Sequence, residues 1–194
     1  MTVGSPSIFA IESTITRAYE QLSLRALGHF LIHIRGHSYG VYSPNATMLA
    51  CSLDEVKDRI RRRGKHTAPF ADEPSAGEVA DAIRDAVFAP NQEHKQFFGM
   101  PHAIFQGIVF SNHLIWAPDG DEAFDDGSFI LHFDVGNQVR LVAFKCCMDS
   151  YHHDPTTLST IWLPAGEFYE TLENWRHAFE AEWATAPKVV ESVM

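Results

Sequence analysis

Cysteine is scarce: Cys51, Cys146 and Cys147 are all that 194 residues contain. An odd number, two of them adjacent, does not supply the even and well-spaced set that a disulfide framework needs. Reduced thiols are expected. Cys146 and Cys147 fall on an expected strand, where neighbouring side chains point to opposite faces and do not converge on one metal. Long apolar runs are missing too. No uncharged stretch approaches the roughly 20 residues that a membrane-crossing helix requires. The opening MTVGSPSIFAIES lacks the basic and apolar regions of a secretory signal, so a cytoplasmic protein without membrane contact is expected.

Motifs of catalysis are equally sparse. There is no HExxH, CxxC or glycine-rich phosphate loop and no GxSxG elbow, and no cofactor is expected. The acidic stretch Asp119-Gly120-Asp121-Glu122-Ala123-Phe124-Asp125-Asp126 departs from a calcium-binding EF-hand loop at the third ligand position and lacks the Gly and the terminal Glu at their required spacings. Eleven histidines form two groupings. His29, His33 and His37 are spaced by four, a period that converges on a helix but not on the strand and turn expected there. His152-His153-Asp154 is ordinary loop chemistry, and no metal ligand is assigned. A hydrolase using a dispersed His, Asp or Glu site stays open as an alternative, because sites live in geometry.

Positive charge is in short supply as well: 15 Lys and Arg against 25 Asp and Glu, a net charge of −10. The imbalance is local. Residues 1–66 carry nine bases and five acids, whereas residues 67–194 carry six and twenty, giving +4 and −14. Such a surface repels nucleic acid and lipid headgroups and favours basic protein partners. The one basic run, Arg59 to Lys65, sits at an expected helix C-terminus, where it complements the helix dipole. The carboxylates Asp119, Asp121, Glu122, Asp125 and Asp126 are the candidate partner-binding residues, set against the plainer reading of a solvated loop.

What is present is enough to fold: 45% of residues are hydrophobic, with 14 Phe and 4 Trp. Strands are expected at 7–16 and 28–35, the second alternating Phe30, Ile32 and Ile34 with His29, Leu31 and His33. A turn at 36–38 leads to a short strand at 39–42. Ser52 to Glu55 has the form of a capping box opening a helix to about Arg63, and Ser75 to Glu78 repeats it ahead of a helix ending near Phe88. That second helix has an apolar stripe of Val79, Ile83, Ala86 and Val87. Residues 67–74 read as a loop and 89–101 as irregular. Strands are expected at 104–110 and 114–116, and a hairpin joins 129–134 to 139–144 through Val135-Gly136-Asn137-Gln138. A strand at 160–163 precedes a long amphipathic C-terminal helix, about 165–183. On it Phe168, Leu172, Trp175, Phe179 and Trp183 recur at helical spacing as core packing. Residues 186–194 are expected to fray. The sum is a single-domain α+β fold over residues 1–185, mainly antiparallel sheet, with helices packed on one face.

Four strings carry a resemblance. GSPSIFAIES (4–13), GHFLIHIRG (28–36), DDGSFILHFDVGNQVRLVAFK (125–145) and TIWLPAGEFYETLENWRHAFEAEW (160–183) resemble the immunity-protein 42 family of bacterial polymorphic toxin systems. Residues 54–101 match nothing quotable. The resemblance implies a cytoplasmic, non-catalytic protein made beside a cognate toxin, which it binds and neutralises. It brings no catalytic residues. A generic adaptor or ligand-binding domain is the remaining alternative.

Overall fold

The computed structural model describes residues 1–118, 120–146 and 152–189. The chain begins with β1 (Thr2–Ser5), β2 (Phe9–Tyr19), β3 (Ala26–Ile34), β4 (His37–Tyr39) and β5 (Thr47–Met48). Helices α1 (Leu49–Arg61) and α2 (Ala76–Phe88) follow, then the short β6 (Gln96–Phe97) and β7 (Met100–Pro101), and helix α3 (His102–Ser111). The last part holds β8 (Ile115–Ala117), a 3-10 turn at Glu122–Phe124, β9 (Ser128–Val135), β10 (Gln138–Lys145), β11 (Ser159–Pro164), α4 (Ala165–Thr185) and β12 (Lys188–Val189).

These elements make two principal sheets. One runs β1-β2-β3-β4, with β5 added to β3 and β12 added in parallel to β2; the other runs β11-β10-β9-β8 and is antiparallel throughout. The β9–β10 hairpin forms at the expected turn, pairing Val135 with Gln138. Gly136 there has φ +60°, a left-handed conformation that costs glycine little.

The four-stranded sheet is buried on both faces. From its strands Ile130, Val139, Leu141 and Ala143 face a first core with Phe9, Ile11, Phe30 and Ile32 of the other sheet, Leu49, Leu53 and Val56 of α1, and the stripe of α4. Phe129, Leu131, Phe133, Val142 and Phe144 face a second core built from Phe70, α2 and α3. A strand buried on both sides reads as a continuous apolar run, which is the pattern of Phe129 to Phe133. The α4 stripe packs as its spacing requires: Phe168, Leu172, Trp175 and Phe179 are buried, and the Trp175 ring stacks on Phe179 at 5.3 Å. The Trp175 indole N–H donates to Ser13 Oγ at 3.0 Å.

Several local expectations are corrected. Residues 104–110 form most of helix α3, not a strand. A short run of apolar residues has no period that separates a strand from a buried helix turn; the helix shows in Phe105 and Val109, four apart and both buried. Helix α1 starts at Leu49, with Met48 as an N-cap that makes no side-chain bond, so the Ser52–Glu55 capping box is not used. The Ser75–Glu78 box is used, Ser75 Oγ accepting from the Glu78 N–H at 3.2 Å. The short strand expected at 39–42 lies instead at His37–Tyr39. Lys188 and Val189 pair with Ala18 and Tyr19, while residues 190–194 of the segment expected to fray lie outside the described residues. Cys146 forms an isolated bridge with His153 just past β10, and Cys147 lies outside the described residues.

Candidate functional site

The acidic loop divides once its geometry is known. Asp121 is buried. Its carboxylate accepts from Thr47 Oγ1 at 2.6 Å, Ser52 Oγ at 2.6 Å and the Ala123 N–H at 2.9 Å. It therefore caps the 3-10 turn and clamps it to β5 and α1, and this is where the Ser52 hydroxyl goes. Asp126 accepts from the Ser128 N–H at 3.1 Å and pairs with Lys145. Burial alone would raise its pKa; the hydrogen bonds and charge of Lys145, with those of Ser128, outweigh that and hold it below the ordinary carboxylate value. Glu122 and Asp125 are exposed, and Asp119 lies outside the described residues. Two of the five candidate carboxylates are thus spent on internal structure, and two face solvent.

Six of the eleven histidines fall in three settings. His29 and His33 share the outer face of the first sheet, and Glu12 lies between them, its carboxylate 3.5 Å from His29 Nε2 and 3.0 Å from His33 Nε2. His37 turns away, its Nδ1 2.8 Å from Ser159 Oγ. His153 rests on α2, its Nδ1 2.8 Å from Asp81. Among the described residues no three His, Cys, Asp or Glu side chains are placed to hold a metal ion.

The third setting is a sealed polar network between α1, β9 and α4. Asp134 accepts from the Gly64 N–H at 2.8 Å, the His66 N–H at 3.1 Å and Tyr169 Oη at 2.9 Å. His132 lies 3.6 Å away. Burial drives the His132 pKa down to about 3, with Arg59 and His66 adding repulsion and Asp134 opposing. Burial would raise Asp134, but the His132 side, the His66 backbone and the Tyr169 hydroxyl hold it at about 2. Tyr169 is raised by burial and by Asp134. Arg59 donates to the carbonyls of His113 at 3.0 Å and Ile115 at 2.7 Å, which ties α1 to the chain leaving α3. Titratable groups this perturbed mark reaction centres only where a substrate reaches them. Here Arg59, His66 and His132 are fully buried, so the network organises the core.

Open space lies on the other side of the four-stranded sheet. A groove of about 430 Å³ is lined by Val87 and Phe88 of α2, Val109 and Phe110 of α3, His113, Ile115, Pro118 and Gly120. Gly120 belongs to the acidic loop, so that loop reaches the edge of the trough. None of these groove residues stands out in the sequence. The available signal is compositional: His102 to Ser111 contains no Asp, Glu, Lys or Arg, although five of its ten residues are exposed.

Across residues 67–189 the exposed charges are one-sided, whereas the basic run ending α1 reaches the groove through Asp58, which pairs with Arg61 and Arg62 and lies 3.7 Å from His113. Every base between residues 67 and 189 is engaged within the protein. Arg140 donates to the Ala71 and Glu73 carbonyls at 2.9 and 2.6 Å, and Lys145 pairs with Asp126. Lys95 meets Asp85 at 3.3 Å and Arg176 meets Glu173 at 2.7 Å. Arg84 lies over Phe129 and Lys188 over Trp183. Asp72, Glu78, Glu93, Glu122, Asp125, Glu167 and Glu170 are exposed.

The described residues thus hold a buried polar network on one side of the four-stranded sheet and an apolar trough on the other. The family model described as Immunity protein 42 matches residues 1–178, and the chain belongs to that family. Among solved structures it resembles the crystal structure of CdiI from Burkholderia dolosa AUO158, with a TM-score of 0.58 at 17% identity, covering 92% of this chain and 99% of that one. At that identity the likeness is one of fold. No curated protein matches.

Proposed function

We propose that this chain protects by occupying its toxin one to one, as a protein–protein inhibitor without turnover, and that the toxin is basic where the two meet. Membership of the immunity protein 42 family carries the general reading: the chain is an immunity protein that neutralises a toxin. The solved relative is named CdiI, and its fold spans nearly all of this chain. The observation supporting a basic partner is the charge distribution, in which exposed carboxylates remain while the bases of residues 67–189 are used internally. Such a field raises the association rate with a cationic surface and sorts partners by sign. A cytoplasmic setting suits the reading, and no helix among the described residues is long and apolar enough to cross a membrane.

Titration separates binding from repair. Purified chain added to its toxin in an assay of toxin damage should give protection that saturates near one equivalent. Protection at a small fraction of an equivalent, with multiple turnovers, would replace this reading with an enzymatic one.

A further inference from the structure

Helix α3 is solvent-facing over much of its circumference, yet it has no charged residue to solvate that face. Ile104 is 58% and Phe110 54% exposed, and Phe88 at the end of α2 is 44% exposed. Phe88 and Phe110 also line the groove described above. At 3.6 residues per turn, Ile104 and Phe110 stand at the two borders of an arc about 120° wide. Between them lie Ala103, Gly107 and Ser111, all small and all exposed. A helix that is apolar all round belongs in a core or against a partner.

Gly107 sharpens the point. Glycine in a helix interior is disfavoured relative to alanine, so some packing demand normally explains it. Gly77 in α2 has such a demand, because a Cβ there would lie 3.0 Å from the His153 ring. A Cβ on Gly107 would meet nothing within 4 Å, and Gly107 does not have a positive φ. The protein's own interior gives no reason for a bare backbone at this position. Close approach of another molecule's backbone does.

We infer that the α3 face, with Ile104 and Phe110 as walls, Gly107 as floor and Phe88 at the end of the groove, is the anchoring centre of the contact with the toxin. The inference rests on the toxin-binding reading and assigns its surface. The occupant is a basic protein surface that presents an apolar side chain or a closely packed backbone to the trough and cations to its margin. A second copy of this chain is disfavoured by charge, because two chains that each carry a net charge of −10 repel. The acidic loop at Gly120 then supplies the rim, with Glu122 and Asp125 steering encounter while the apolar centre sets residence time.

The test uses the full chain and the toxin domain encoded by the adjacent reading frame, with association and dissociation followed separately. Phe110→Ala should weaken the complex by at least about 30-fold, the threshold of a hot spot, with the loss mainly in the dissociation rate. Gly107→Ala should raise the Tm of the free chain by about 2–4 °C, as expected of a helix-interior glycine replaced in a chain of this size. Gly107→Gln should melt no lower than wild type and still weaken the complex at least tenfold, an outcome that no folding defect can mimic. Wild-type affinity in both Phe110→Ala and Gly107→Gln would overturn the assignment while leaving toxin binding itself intact. A wild-type chain that fails to bind this toxin at all would overturn the assignment and the underlying reading together. A concentration-dependent dimer of the chain alone, abolished by Gly107→Gln, would also overturn it, since a second copy would then own this face.

Discussion

The two faces of the four-stranded sheet are finished differently. On one, the chain supplies a second sheet, two helices and an aromatic stripe, and the buried Asp134 carboxylate accepts from three donors. On the other, α2 and α3 form a single thin layer, apolar inside and still apolar outside at Phe88, Ile104 and Phe110. The contrast separates residues that hold the fold from residues that the fold holds out. Stability should concentrate on the first side and partner binding on the second.

The largest effect that would break this comparison is at α4. Trp175→Ala removes a fully buried indole and orphans Ser13, and it should cost roughly 3–5 kcal/mol, read by denaturant unfolding. A Trp175→Ala chain that unfolds at the wild-type midpoint would mean that the first side is not the stability core.

Acid should loosen the same side next. His132 stays neutral in the folded chain down to about pH 3, whereas an unfolded imidazole titrates near 6.5. Between those values the unfolded chain holds a proton that the folded chain lacks, so stability falls as pH falls, by about 1.4 kcal/mol per pH unit from this group. Asp134, held at about 2, contributes stability present above its ordinary value near 3.9 and lost as pH falls through 2. Urea unfolding of wild type and His132→Gln at pH 7 and pH 4.5 checks the first step. The variant should show a clearly flatter pH dependence, and an unchanged slope would remove His132 as its source.

The smallest effects should split the acidic loop itself. Asp121→Asn weakens hydrogen bonds to a buried charge and should cost about 1.5–3 kcal/mol. Asp125→Asn should stay within about 0.5 kcal/mol, as for most exposed positions, while slowing association with the toxin at low salt and not at high salt. Equal melting of the two variants would erase the division drawn between them.

Much of the fold is legible before any coordinates. The β9–β10 hairpin, the Ser75 cap of α2 and the α4 stripe each rest on a local rule: a turn residue, a hydroxyl three residues before its partner, a period of 3.6. The errors fall where local rules are silent. Residues 104–110 are apolar nearly throughout, so no period distinguishes strand from helix, and that helix turns out to carry the open face. Ser52 looks like a cap because its spacing to Glu55 is right, yet its hydroxyl is committed to Asp121, 69 positions away. The five carboxylates of the acidic loop are alike in sequence, and only their neighbours tell Asp121 and Asp126 from Glu122 and Asp125.

The amino-acid sequence by itself determined the class of fold, the acidic balance of the second half and the resemblance to a toxin-neutralising family, because composition, periodicity and shared strings are properties of the chain in one dimension. Tertiary structure decided which face is closed and which is open. Exposure, charge pairing and the empty space above Gly107 depend on residues far apart in the chain, and they exist only once those residues are brought together.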